Sequence, residues 1–319
     1  MNPEDFSPRK FARGRRFAFD LEFTAAGHTL RVPVILVRGA REGKTLVVTA
    51  AVHGDEYEGV RTLLELGREL NPGEMSGDLL AIPVLNPPAF WNGTRTSPLD
   101  GANLARVCPG RADGTPTEVI AYYLDRSILP YADLYLDLHS AGVKMAMPTL
   151  IGYDASDPGS RDAAFAFDAP VIWGHPEIAP GRTVSAAKAR AIPFLYTEAR
   201  GAGRIHPDDL RIYRRGVLNL MRHLHILEGA PERGACRYHL LGEGNIDESI
   251  AAAHRGFLIP AVSLLDEVQE DQELGAVVDL YGEPIEHIRS PRSGLVVLIH
   301  EFPVIEPGEP AFLVTGKQS

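Results

Sequence analysis

The sequence predicts an α/β fold, a mostly parallel mixed sheet flanked by helices, with a smaller all-β domain at its C-terminal end. Two observations predict it. Four short apolar runs without alternation recur in the first two-thirds, separated by stretches of helical period, which is the pattern of strands buried on both faces. After residues 228–234 the texture changes to short β-like segments broken by glycine, proline and acidic residues. The expected division is 1–230 for the α/β domain and 231–319 for the β domain.

The first run spans 45–52. A helix follows over 56–70, with Val60, Leu63, Leu64, Gly67 and Leu70 along one stripe, and stops at Asn71-Pro72-Gly73. The second run spans 79–85. A helix over 117–129 carries Glu118 in its first turn and ends before Pro130. The third and fourth runs span 134–138 and 192–197. A helix over 207–227 opens on Pro207 and keeps its period through Leu210, Val217, Leu220, Met221, Leu224 and Leu227. Beyond it, 276–281, 294–299 and 311–314 read as strands.

Composition narrows the function. The chain has 319 residues, 45% hydrophobic and 23% charged, as an ordinary globular protein has. A net charge of -10 argues against a nucleic-acid partner, which favours a basic face. It leaves room for an anionic substrate held by a few local arginines. No apolar stretch reaches the ~20 residues a membrane span needs, and residues 1–16 lack the apolar core of a signal peptide, so a cytoplasmic protein without a membrane partner is expected. Homo-oligomerisation is left open. The two cysteines, Cys108 and Cys236, exclude a disulfide framework and a four-cysteine zinc site. Both are expected to be small buried apolar residues.

Each apolar run ends in a polar cluster. Val52 precedes His53-Gly54-Asp55-Glu56, Leu85 precedes Asn86, Leu138 precedes His139-Ser140, and Thr197 precedes Glu198. Ligands bind outside the carboxyl ends of strands in open α/β sheets, so these clusters should converge. Two imidazoles and one carboxylate, His53, Glu56 and His139, make the ligand set of a catalytic zinc with one open position. Glu198 is the candidate general base, the carboxylate that takes a proton from water and passes it to a leaving nitrogen. Asp137 is expected on the other face of its strand, in a structural role. The loop over 94–110 carries Arg95, Asn103 and Arg106, and arginine offers a planar fork for carboxylates and oxyanions. His175, expected in a loop near Trp173, is a candidate substrate contact. Surface or packing roles are expected for the remaining histidines.

Taken together, His53-Gly54-Asp55-Glu56, the loop from Asp100 to Gly110, Asp137-Leu138-His139 and Thr197-Glu198 resemble, in order, the succinylglutamate desuccinylase/aspartoacylase family, which is zinc carboxypeptidase-like. The resemblance implies one zinc per subunit on His53, Glu56 and His139, with Glu198 as general base and acid. It implies that Arg95 polarises the scissile carbonyl and that Asn103 and Arg106 bind substrate. Such enzymes are amidohydrolases that cleave the linear amide of a small N-acyl amino acid. The family loop commonly reads Asn-Leu-Asn-Arg-x-Phe-Pro-Gly; here Ala105 and Cys108 replace the second asparagine and the phenylalanine. Ala105 offers no side-chain donor, which leaves the acyl group and amino acid open. The last domain is similar to barrel-sandwich domains that carry lipoyl groups, but its sole lysine, Lys317, is not at a hairpin tip, so a non-lipoylated domain is expected. Two other readings stand beside this one. One is a metallocarboxypeptidase acting on peptides. The other is a non-catalytic metal or small-molecule binding protein with a decayed site.

Overall fold

The structure, a computed structural model, describes residues 1–242, 244 and 248–316. Lys317 lies outside the described residues. The chain opens with a hairpin of β1 (Arg15–Ala25) and β2 (His28–Arg38), followed by β3 (Arg41–Ala50), α1 (Glu58–Glu69), β4 (Ser76–Ile82), α2 (Pro87–Asn92) and α3 (Pro116–Tyr123). Next come β5 (Leu134–Leu138), the two-residue β6 (Met145–Ala146), β7 (Leu150–Asp154), α4 (Pro158–Phe167), β8 (Val171–His175), α5 (Thr183–Ala189), β9 (Phe194–Glu198), α6 (Pro207–His223) and β10 (Tyr238–Leu241). These strands, without β6, form one nine-stranded mixed sheet in the order β1-β2-β4-β3-β5-β9-β7-β8-β10.

The four predicted runs are the four adjacent strands β4, β3, β5 and β9, all parallel. Their carboxyl ends therefore open on one edge, as the sequence required. β3 and β5 are buried at Leu46, Val48, Leu134 and Leu136 against α1 and α6 on one side. Val47 and Tyr135, pointing the other way, pack with the β1–β2 hairpin and α3. Burial on both faces explains why these strands read as continuous apolar runs.

The hairpin was not anticipated. Its signal was alternation: Leu21, Phe23 and Ala25 are buried while Asp20, Glu22 and Thr24 are exposed. The helix expected over 117–129 is regular only to Tyr123 and continues as a π-turn over Leu124–Ile128, ahead of Pro130. The helix expected to reach 227 stops at His223, because His225 turns left-handed (φ 60°) and starts the reversal.

Short strands follow: β11 (Ile250–Ala251), β12 (Gly256–Pro260), β13 (Glu267–Val268), β14 (Glu273–Val278), β15 (Pro284–Arg289), β16 (Gly294–His300), β17 (Val304–Ile305) and β18 (Pro310–Thr315). They form one sheet ordered β11-β18-β16-β13 and another ordered β15-β14-β12-β17. β6 pairs with β16, and Lys144 meets Glu309 at 2.5 Å. Leu295, Val297, Leu298 and Leu313 pack onto Ala141, Met147, Trp173 and Leu240. The C-terminal strands thus rest on the loop that follows His139. β10, which the expected boundary placed in the second domain, pairs with β8 in the large sheet.

Gly54 shows how tightly the end of β3 is built. A Cβ there would sit 2.0 Å from the carbonyl carbon of Ala89, where only backbone could give way. Gly54→Ala should destabilise the protein by about 1–3 kcal/mol, read by denaturant unfolding. An unchanged midpoint would mean this loop is free to move.

Candidate metal centre and active site

His53, Glu56 and His139 are buried together at the carboxyl ends of β3 and β5, with one ligand atom from each lying within 4.8 Å of the others. The loop after β3 is held in place by the loop after β4. Leu85 and Asn86 donate backbone N–H groups to Ala50 and Ala51 at 2.9 and 3.1 Å, and the Asn86 amide donates to the Val52 carbonyl at 3.2 Å. Gly54 donates to Thr94, which ties the His53 turn to the loop carrying Arg95.

Glu56 lies at the centre. Its Oε1 is 2.7 Å from His53 Nδ1 and its Oε2 is 3.0 Å from His139 Nδ1. The Ser140 backbone N–H donates to Oε2 at 3.2 Å, and Arg95 approaches Oε1 at 3.4 Å. The far nitrogen of each ring is anchored too. His139 Nε2 is 3.0 Å from Asp137 Oδ2, and His53 Nε2 is 3.1 Å from Asn103 Oδ1. Asn103 is oriented by the Ala105 N–H, which donates to the same oxygen at 2.9 Å. Oriented imidazoles of this kind are the usual support of a metal ligand.

The proton count favours a cation. Both ring nitrogens of His53 face oxygen acceptors, Glu56 and Asn103. A neutral imidazole has one N–H to give. Burial pushes the His53 ring below its ordinary range and so resists a second proton, although Glu56 opposes this. One nitrogen would then meet an oxygen lone pair to lone pair, and a cation at Nδ1 removes that conflict. For Glu56 burial acts upward, but His53 and His139 outweigh it and hold the carboxyl well below the usual range. For His139 burial acts downward, but Asp137 and Glu56 outweigh it and hold the ring well above its usual range. Two nitrogens and a low-lying carboxylate suit a divalent metal.

The expectation that Asp137 faces away from His139 is overturned. Residues two apart on a strand share a face, and Asp137 uses that face to hold the His139 ring. Thr49 donates to Asp137 Oδ1 at 2.6 Å and Thr183 donates to Oδ2, while Tyr135 and Thr49 share a hydroxyl contact of 2.6 Å. The Asp-x-His spacing was the signal for this role.

Glu198 ends β9 and lines the same cavity, of about 300 Å³, as His53, His139, Arg95 and Arg106. Its Oε2 is buried and has no hydrogen-bond partner among the described residues. Burial, and then the negative charge of Glu56, push this carboxyl up to about 8. Ala105 and Arg106 line the wall, and Arg106 donates to the Ala105 carbonyl at 3.1 Å. Asn103, expected at the substrate, has its side-chain oxygen committed to His53 and Ala105. His175 lines the cavity from the end of a strand, not from a loop, with Tyr196 and Arg182, which the sequence did not single out. Cys108 is buried as expected; Cys236 is exposed, contrary to expectation. No helix among the described residues is long and apolar enough to cross a membrane.

The fold and site thus define a mixed α/β protein with a His-Glu-His cluster able to hold a metal ion at its strand ends. Residues 42–224 match the succinylglutamate desuccinylase/aspartoacylase catalytic domain. The chain is 32% identical over 288 residues to the N-alpha-acetyl-L-2,4-diaminobutyric acid deacetylase of Halomonas elongata, covering 88% of this chain and 83% of that protein. It is similar in structure to a succinylglutamate desuccinylase/aspartoacylase from Rhodobacter sphaeroides, at TM-score 0.85 and 30% identity over 95% of this chain and 96% of that one. It is also similar to the product-bound ectoine utilization protein EutE (DoeB) of Ruegeria pomeroyi, at TM-score 0.87 and 30% identity over 96% and 97% of the two chains. The protein belongs to the succinylglutamate desuccinylase/aspartoacylase family.

Asp137→Asn should weaken divalent-metal binding by about 10- to 100-fold, measured by competition with a chromogenic chelator. Unchanged affinity would show that Asp137 only packs the strand.

Proposed function

We propose that this protein is a zinc-dependent hydrolase cleaving the amide bond of a small N-acyl amino acid. One observation carries the reading: the buried Glu198 carboxylate shares a cavity with the His53–Glu56–His139 cluster, and its Oε2 has no partner among the described residues. The Halomonas elongata relative, a deacetylase of an N-acetylated amino acid by its name, supports the same class.

His53, Glu56 and His139 would hold the zinc. When bound there, zinc supplies a Lewis acid that lowers the pKa of water and polarises a carbonyl. Glu198 takes a proton from the attacking water on its Oε2 and returns it to the departing nitrogen. The carboxyl's raised range matches this double duty, since it must both accept and release a proton near neutral pH. Arg95, beside Glu56, offers its guanidinium to the scissile carbonyl oxygen. Arg106, on the cavity wall, suits the substrate α-carboxylate. Asn103 serves by fixing the His53 ring.

The cavity volume of about 300 Å³ fits a small acyl amino acid and disfavours a long peptide. The same reading divides the chain into a catalytic α/β domain and a C-terminal β domain. The division falls at 230/231, with Tyr238–Leu241 from beyond it pairing back onto the large sheet.

Two measurements test the proposal. Glu198→Gln should retain zinc by elemental analysis and lose at least about 100-fold in turnover of acyl amino acids; wild-type turnover in this variant would refute the base assignment. Stripping zinc with a chelator should abolish hydrolysis and lower the melting temperature, with both restored by added zinc. Full activity in metal-free protein would refute the zinc reading.

A further inference from the structure

The two C-terminal sheets differ in what covers them. The sheet β11-β18-β16-β13 packs through Leu295, Leu298 and Leu313 on Ala141, Met147 and Trp173 of the α/β part. The sheet β15-β14-β12-β17 lies over it, with Leu258, Val277, Ile288 and Ile305 buried between the two against Val296 and Phe312. Side chains alternate along a strand, so the neighbours of these residues point outward. A wet sheet face is ordinarily polar at such positions. Here Phe257 and Ile259 on β12 and Val304 on β17 are exposed, and Phe257 pairs directly with Val304. On the other side of β12, Phe257 stands opposite Val278 and Ile259 opposite Ala276 of β14.

The apolar face runs on into the turn between β14 and β15. Leu280 and Tyr281 at its tip are 95% and 93% exposed, more than any other large apolar side chain among the described residues. The turn is built, not slack. The Tyr281 and Glu283 N–H groups donate to Asp279 Oδ1 at 2.8 and 2.9 Å, and the Asp279 N–H donates to the Glu283 carbonyl at 2.9 Å. A fixed turn that holds leucine and tyrosine in water is preorganised for contact, because little ordering is left to oppose binding.

We infer that this outer face docks a second copy of the same chain, sheet on sheet across a two-fold axis. Area and charge both fit that occupant. Phe257, Ile259, Leu280, Tyr281, Phe302 and Val304 expose on the order of 600 Å² between them, near the ~800 Å² per partner of a stable interface. The chain carries a net charge of -10, so two copies repel where average surface meets average surface. The corners of this face carry both signs instead. Arg255 pairs with Glu306 at 3.2 Å where β12 begins beside the end of β17. His287 and Arg289 meet Glu273 at 3.1 and 3.9 Å at the opposite ends of β14 and β15. By register these two clusters occupy diagonal corners, and the apolar line from Phe302 through Phe257 to the Leu280–Tyr281 tip crosses between them. A two-fold axis along that apolar diagonal lays each charged corner on the other. Arg255 and Glu306 of each copy then face Glu273 and Arg289 of its mate, with both signs available on each side. The contact lies on the far side of the sheet pair from the metal centre, so it is independent of the deacylase reading.

Sedimentation velocity of the full chain at micromolar concentrations tests this. Wild type should sediment as a dimer of the 34.7 kDa chain. Leu280→Ser combined with Tyr281→Ser changes only the exposed tip and should weaken the dimer by at least about 30-fold. Phe257→Lys should weaken it by a similar factor through the sheet face, with circular dichroism reporting that both variants are folded. A wild type that stays monomeric overturns the inference, and so does a dimer that neither variant weakens.

Discussion

One carboxylate shared by two imidazoles organises this molecule. Glu56 places an oxygen against Nδ1 of His53 and the other against Nδ1 of His139. Each ring is held from behind by a second oxygen, so neither can turn away. His53 then has more acceptors than protons, and burial denies it the extra proton. Such an arrangement is costly as it stands and favourable around a divalent cation. The rest of the sheet serves to keep these atoms together. β3 and β5 lie side by side so that His53 and His139 leave neighbouring strand ends. Buried Asp137, which holds His139, accepts from Thr49 and Thr183, and Tyr135 shares a hydroxyl contact with Thr49 behind it.

Around this fixed centre the walls are assembled from distant parts of the chain. The turn before α1 carries Glu56, the loop after α2 carries Arg95, and the end of β9 carries Glu198. The C-terminal strands brace the loop that follows His139 through the β6–β16 pairing and the Lys144–Glu309 ion pair. Their apolar residues continue the core through Met147 and Trp173. Trp173 and His175 in turn grip the Gly242 carbonyl, where the chain leaves the large sheet. The walls of the cavity are thus tied down by strand pairing, an ion pair and buried hydrogen bonds.

Much of this was legible in the sequence. The runs ending at His53, His139 and Glu198 were readable because strands buried on both faces leave unbroken apolar segments, and each ended in a polar cluster. The convergence of those clusters followed from parallel packing alone. The β1–β2 hairpin was missed because its alternation is one-sided and polar-rich, unlike the central strands. Asp137 was misplaced through its parity: two residues along a strand means the same face. Tyr196 and His175 were illegible as a pair, because their hydrogen bond spans the intervening strand β7 at Gly152, and no local spacing records it. The contact of the Asn103 side-chain oxygen with His53 has no local signal, because only the fold brings the two together.

Anomalous diffraction at the zinc edge of protein crystals tests most directly the metal centre proposed for His53, Glu56 and His139. The expected result is a single strong peak bounded by His53 Nδ1, a carboxylate oxygen of Glu56 and His139 Nδ1, with both Nε2 atoms still on Asn103 and Asp137. A peak ligated through Nε2, or zinc-soaked crystals with no peak between these three residues, would contradict it.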